Sequence, residues 1–171
     1  SATTLHLISG EDLADFTHSL SATDQQWLTR QSFTAKAGQV AWLENGDGVL
    51  GKADADSLAT LGHLPYTLPE GVYRLTETTT FIALLGWGLG SYSFNRYKAA
   101  EREPAQLILP KSADAAELVN TVAATYLTRN LINTPAQDMA PSHLQAEVEA
   151  LGTTFEASVS TVVGDELLDL E

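Results

Sequence analysis

The chain has 171 residues, 44% of them apolar, enough to bury roughly 70% of the unfolded surface in one or two small domains. Its 22 acidic and 9 basic residues leave a formal charge of −13, a field that repels nucleic-acid phosphates and anionic lipid surfaces. No cysteine occurs, which excludes a disulfide framework, a thiolate nucleophile and a cysteine zinc site, and suits a reducing compartment such as the cytoplasm.

The opening "SATTLHLISGEDL" lacks the basic and long apolar regions of a secretory signal, and no stretch approaches the roughly 18 apolar residues that span a bilayer. A soluble protein without a membrane partner is expected. "TLHLIS" alternates around Leu5 and Leu7 and reads as a strand, and "EDLADFTHSL" places Leu13, Phe16 and Leu20 on one helical face. In "SATDQQWLTR" either Ser21 or Thr23 can cap a second helix. "QVAWLEN" and "GVLGKA" flank the tight "GDG" and predict an antiparallel hairpin. "DADSLATLGHL" reads as helix, "PYTLPEG" as loop, and "GVYRL" as a strand that buries Val72 and Leu75.

In "TTTFIALLGWGLGSYSFNRYK" the residues Phe81, Leu84, Leu85, Leu89, Tyr92 and Tyr97 recur at helical steps. Glycine in a helix costs about 1 kcal/mol relative to alanine. Gly86 and Gly90, one turn apart, therefore predict a close approach to a sheet or another helix, the sheet being the expected one, while Gly88 lies off that line. "AQLILP" reads as a brief strand ended by Pro110. Ser112 then stands at a helix cap, and apolar positions from Ala115 to Leu131 keep the three-four spacing until "NTP" stops it. In "PSHLQAEVEAL", Ser142 and Gln145 fit a capping box, Leu144, Val148 and Leu151 form the buried side, and Gly152 is the stop. "TFEASVSTVVG" alternates like a strand and "DELLDLE" starts a helix, so a second α/β unit is expected to be incomplete.

Motifs for chemistry are sparse. A dinucleotide fingerprint would need glycines at 86, 88 and 91 after a strand, but position 91 is Ser91, and neither Lys52 nor Lys111 follows phosphate-loop spacing. His6, His18, His63 and His143 make no ligand pair, and no G-x-S-x-G elbow occurs. Asp165 with Asp169 reads as an acidic helix end, and the pairs Asp12/Asp15 and Asp54/Asp56 as helix-start residues rather than an acid and a base. Arg96, Lys98 and Arg102 beside two glutamates read as a solvated helix end rather than an anion contact.

Two stretches carry a resemblance: "GLGSYSFNRYK" and "LTRNLINTPAQDMAPSHLQAEVEAL". They resemble the leucyl aminopeptidase family, the dinuclear metallo-exopeptidases, where the N-terminal domain joins the catalytic domain. The residues carrying it are Gly88, Leu89, Tyr92, Phe94, Arg96, Tyr97 and Lys98, then Arg129, Leu131, Asn133, Thr134, Pro135, Asp138 and Met139.

The resemblance implies a macro-domain-like mixed α/β sheet with flanking helices over 1–110, a linker helix and NTP turn over 111–134, and the beginning of a catalytic domain over 135–171. It implies that Gly86, Gly90, Tyr92, Phe94, Arg96, Tyr97, Lys98, Arg129, Asn133, Thr134, Pro135 and Asp138 are structural or junction residues. In "NTPAQD", Asn133 or Asp138 is expected to accept backbone N–H groups at a helix start and so hold the junction. The family's two divalent ions, zinc or manganese, and its catalytic lysine and arginine belong to the C-terminal domain, whose Asn-Thr-Asp-Ala-Glu-Gly-Arg signature is missing here. The implied partners are that catalytic domain and further copies in a hexamer. The rival expectation is a self-standing macro-like module that binds a ligand or regulates a partner.

Overall fold

Alternation along β1 (Thr3–Ile8) sends Leu5 and Leu7 to one face of a sheet and His6 and Ile8 to the other. The computed structural model describes residues 2–53, 55–77, 79–111 and 114–169. These fall into two compact units, 1–126 and 127–171.

In the first unit β1 is the middle strand of five, in the order β2-β3-β1-β4-β5. It runs parallel to β3 (Gly48–Gly51), with Leu7 opposite Leu50, and parallel to β4 (Val72–Leu75), with Leu5 opposite Leu75. β5 (Gln106–Leu107) extends β4 in parallel, and β2 (Val40–Trp42) closes the other edge antiparallel to β3. This is the mixed, helix-flanked sheet that the resemblance implies. The hairpin about "GDG" forms as expected.

Helices cover both faces. On one, α1 (Leu13–Ser19) and α2 (Ala22–Arg30) bring Leu13, Phe16 and Leu28 against Ile8, Ala41 and Val49. On the other, α3 (Leu58–Gly62), α4 (Leu64–Thr67), α5 (Phe81–Gly90) and the start of α6 (Ala115–Asn133) bring Leu61, Leu64, Trp87 and Leu118 against Leu5, Leu7 and Leu50. Each such leucine contributes roughly 1.5–3 kcal/mol by leaving water. Of the two candidate caps for α2, Ser21 is the one used, its hydroxyl accepting from the Asp24 N–H at 3.1 Å. The Asp24 carboxylate in turn accepts from Glu44 N at 2.9 Å and from the Ser21 hydroxyl, bonds that hold it below its ordinary pKa and tie α2 to the hairpin.

The outer edge of β2 is masked by a side chain. Gln31 donates from Nε2 to the Trp42 carbonyl at 2.7 Å and accepts at Oε1 from the Trp42 N–H at 2.9 Å, reproducing the two bonds of a neighbouring strand. Open edges template association with other chains. Gln31→Ala is therefore expected to raise the mean mass in light scattering as concentration rises; a variant tracking the native chain at every concentration would refute edge masking.

Several sequence expectations are corrected. "PYTLPEG" is not all loop: Pro65 sits in the first turn of α4, where a missing N–H costs nothing, and the Thr67 hydroxyl donates to the His63 carbonyl at 2.6 Å. Val72 is exposed and Tyr73 is buried, because Val72 and Leu75 are three apart and cannot share a strand face. The α5 helix ends at Gly90, with Ser91 as its C-cap, N–H and hydroxyl both on the Trp87 carbonyl, so Tyr92 and Tyr97 lie beyond it.

The expected cap at Ser112 lies outside the described residues, as does Asp54. Asp114 performs a capping bond for α6, accepting from Glu117 N at 3.0 Å. As expected, α6 stops just before Pro135.

In the second unit, α7 (Pro141–Thr154) starts one residue after Ala140, whose N–H donates to His143 Nδ1 at 3.0 Å; Ser142 is already inside the helix and is not its cap. Gly152 does not stop α7, which continues to Thr154 before Glu156 reverses the chain in a left-handed conformation. Leu144, Val148 and Leu151 are exposed rather than buried. The expected strand "TFEASVSTVVG" has no ladder: Thr154 closes α7, and the residues after Glu156 run without a strand partner among the described residues. A 3-10 helix spans Gly164–Asp169. The Asp169 side chain lies outside the described atoms, so its pairing with Asp165 has no geometry here.

Candidate functional site

Glycine at 86 and 90 brings α5 against α3, not against the sheet. A Cβ built at Gly86 would strike the Leu58 carbonyl oxygen, and one at Gly90 the Gly62 carbonyl oxygen. Gly62, for its part, faces the Gly86 carbonyl at 3.1 Å from its own ideal Cβ. Three glycines thus let two backbones touch, which offsets the helix-propensity cost of each. Gly62 was invisible as a partner in sequence, since nothing local links "TLGHL" to a segment 24 residues on.

Gly88 looks the other way. Its missing Cβ leaves room for Val122 of α6, and its carbonyl accepts the Tyr126 hydroxyl at 2.5 Å. Beside this crossing lies an open apolar cleft of about 440 Å³, walled by Leu84 and Trp87 of α5, Leu107 and Leu109 at β5, and Leu118 and Val122 of α6. Trp87 is fixed in this wall, its Nε1–H donating to the buried Ala105 carbonyl at 3.2 Å.

The segment after α5 holds the first group of motif residues. Tyr92 meets Tyr126 edge-on at 5.1 Å, Phe94 and Tyr97 lie 5.9 Å apart, and the Arg96 guanidinium sits 5.8 Å over the Tyr97 ring. Lys98 pairs with Glu101 at 3.1 Å in an exposed position, worth little by itself. Arg102 is the cation that the basic-cluster reading undervalued. Its guanidinium donates to the Pro65 carbonyl at 3.1 Å and the Leu68 carbonyl at 2.5 Å, at the end of α4, and lies 5.8 Å over the Tyr66 ring. Both bonds come from one terminal nitrogen, Nη2, and the Pro65 carbonyl also accepts from Ala105 N at 2.8 Å, so Arg102 and the segment entering β5 both hold the end of α4.

The second group belongs to the second unit. Thr134 is buried and its hydroxyl donates to the Asn130 carbonyl at 2.7 Å, ending α6 against Pro135. Asp138 is half-buried and its N–H donates to the Pro135 carbonyl at 2.8 Å, closing the turn that leads to α7. Asn133 is exposed, and Arg129 is half-buried on α6. The two motif groups therefore occupy different units, with Tyr126 the last residue of the first.

Beyond the carboxyl ends of β3 and β4 lie three ionisable groups, Lys52, Asp56 and Glu77, among the described residues. Lys52 Nζ reaches Glu77 at 3.3 Å, and Asp56 accepts from the Thr79 hydroxyl at 3.0 Å and Thr80 N at 3.1 Å. Burial works against the Asp56 carboxylate, but the bonds from Thr80 and Thr79, with Lys52 nearby, hold it net below the ordinary 3.8. A carboxyl depressed on folding stabilises above its unfolded pKa and loses that contribution as pH falls through the folded value. Asp56→Asn should therefore shrink the stability difference between about pH 7 and about pH 2.5 in urea titrations; an unchanged difference would refute the assignment. Among the described residues no three His, Asp or Glu side chains converge to hold a cation.

The comparisons with known proteins agree with this architecture. A family model described as M17 aminopeptidase, N-terminal domain, matches residues 3–110. A probable cytosol aminopeptidase of Clostridium perfringens (strain 13 / Type A) is 29% identical over 110 residues, 56% of this chain and 22% of that protein. The crystal structure of cytosol aminopeptidase from Coxiella burnetii matches with a TM-score of 0.89 at 30% identity, over 99% of this chain and 39% of that one. This chain thus spans well under half the length of either relative. With a model match over most of its length and the same sheet and helices, the chain belongs to the M17 aminopeptidase family, whose N-terminal domain it carries in residues 3–110.

Proposed function

We propose that this chain is the non-catalytic N-terminal portion of a leucyl aminopeptidase-like enzyme that hydrolyses residues from the N-termini of peptides. Residues 1–110 form the N-terminal domain, 111–134 the linker helix and NTP turn, and 135–171 the beginning of the catalytic domain. The observation that supports this is the breadth of the Coxiella match, which runs past residue 110 through the second unit yet occupies 39% of that aminopeptidase. The described residues do not fit the pair of divalent ions, zinc or manganese, that the family resemblance implies, so no step of hydrolysis is assigned to them. Their role in this reading is support: packing against the enzyme's own catalytic domain and taking part in a homo-oligomer, a hexamer in the resemblance, in the cytoplasm. The charge of −13 disfavours a nucleic-acid partner, and among the described residues no helix is long and apolar enough to cross a membrane.

The test is an aminopeptidase assay on a leucine anilide with added manganese or zinc, run on this chain and on the full-length enzyme. Turnover by the full-length enzyme alone is expected. Turnover by this chain at a comparable rate would overturn the reading.

A further inference from the structure

We propose that Asn45 is a site of spontaneous deamidation and that the Asp47 side chain is the guard that slows the reaction in the folded chain. Alone among the asparagines of the chain, Asn45 is followed by glycine, and the absent Cβ at Gly46 clears the approach of its main-chain nitrogen to the Asn45 side chain. Both residues are exposed at the tip of the β2–β3 hairpin, open to water and base. The chemistry needs nothing else. Gly46 N gives its proton to hydroxide and bonds to Asn45 Cγ, the Cγ–Nδ2 bond breaks, and ammonia leaves with a proton from water. Water then opens the five-membered imide at one of its two carbonyls. Opening at the main-chain carbonyl leaves isoaspartate, with the chain running through Cβ, and opening at Cγ leaves aspartate.

The loop holds the reacting atoms apart. Gly46 N donates to the Leu43 carbonyl at 3.0 Å and Leu43 N to the Asp47 carbonyl at 2.8 Å, with Gly46 at φ 86° and neither Glu44 nor Asn45 at positive φ. That is a three-residue loop built from a type I turn and a left-handed glycine. Asn45 is the third residue of the turn, where ψ lies near 0°, whereas closing the imide eclipses Cβ with the Gly46 nitrogen, a rotation of roughly 120° about the same bond. Asp47 fastens the side chain as well: its N–H donates to Asn45 Oδ1 at 2.9 Å and its carboxylate accepts from Asn45 Nδ2 at 2.9 Å. The other carboxylate oxygen accepts from Thr4 N at 3.1 Å, which anchors the loop to β1. Attack on Cγ requires the bonds on Asn45 and Gly46 to open together, so the rate follows the fraction of time that the tip is open. The products damage the hairpin. An aspartate at this position sets an oxygen against the Asp47 carboxylate where Nδ2 had donated, and an isoaspartate lengthens a loop whose length holds Trp42 opposite Gly48.

Mass spectrometry of the peptide carrying residues 43–47, taken while the chain stands in mildly alkaline buffer, tests the idea. Conversion, seen as a gain of one mass unit and a separately eluting isoaspartate form, should be at least about tenfold slower in the folded chain than in the same chain unfolded in urea. Asp47→Ala should raise the folded rate at least about fivefold. Trp87→Phe, which weakens the core through α5 and the segment entering β5, should stay within about twofold of the native rate, since the two sites share no partner. Equal rates folded and unfolded overturn the proposal, as does an Asp47→Ala rate equal to the native one. The same acceleration in both variants also overturns it, because protection then comes from overall stability and not from Asp47. A second pair reads the contact without altering Asp47: Asn45→Asp should lower the urea midpoint of the chain more than Asn45→Ala, since it alone places a charge beside that carboxylate. Equal midpoints for that pair overturn the guard role even if the Asp47→Ala chain fails to fold.

Discussion

Gly86→Ala is expected to lower the unfolding free energy of the first unit by about 3 kcal/mol, at the upper end of what overpacking costs. The sign is not obvious, because alanine is the better helix former by about 1 kcal/mol. What decides it is the nature of the neighbour. The new methyl would meet the Leu58 carbonyl, a backbone group within α3, and not the end of a flexible side chain. To make room, α3 would have to move off α5, pulling Leu61 and Leu64 out of the core in which both are fully buried. Gly90→Ala repeats the collision at the Gly62 carbonyl. Gly10→Ala is the control: nothing lies within 4 Å of its Cβ and its backbone needs no left-handed φ, so a change below about 0.5 kcal/mol is expected. Urea denaturation followed by tryptophan fluorescence measures all three. A Gly86→Ala protein as stable as the native one would show that the helices are free to separate.

Trp87→Ala should cost about 3–5 kcal/mol, the usual penalty for emptying a large aromatic site. Trp87 is 5% exposed, packs 6.3 Å from the Tyr73 ring, and holds the Ala105 carbonyl through its indole N–H. Those contacts fasten the segment entering β5 to α5, so the edge strand should loosen with the core. Trp87→Phe separates the two roles. It keeps most of the ring area and removes the donor, leaving a buried carbonyl unpaired at a cost of about 1–3 kcal/mol. If the phenylalanine variant matched the native stability while the alanine variant lost the full amount, the hydrogen bond would be irrelevant and packing alone would matter.

The parts of the fold that were legible from sequence are those whose signal is local. β1, the hairpin, the long α6 and its stop at Pro135 each follow from period, turn residues or proline, and the structure has them in those places. The helix through Phe81–Gly90 was legible too, but its end was not, because Tyr92 and Tyr97 continue the apolar spacing although the helix closes at the Ser91 cap. Burial was harder. Leu144, Val148 and Leu151 have helical spacing, and spacing announces a face without saying what covers it. The strand expected in "TFEASVSTVVG" fails for a related reason: alternation shows which side chains share a side, but a strand exists only with a neighbour. At the candidate site, the glycine motif pointed to close approach, whereas Gly62, Trp87 and Arg102 act through partners far away in sequence and leave no local mark.

The position of β1 in the sheet has a consequence for biosynthesis. Of the five strands of this sheet the middle one leaves the ribosome before the other four, and both of its neighbours are parallel, joined to it by long crossovers. Its hydrogen-bonding edges stay open until β3 has been made, and the second closes only when Leu75 has emerged. At about 5–20 residues per second, that leaves an apolar ribbon unpaired for several seconds. Nascent chains of this protein should accordingly depend on holding chaperones early in synthesis, and mutations that slow closure at β4 should reduce yield more than they reduce the stability of the finished molecule.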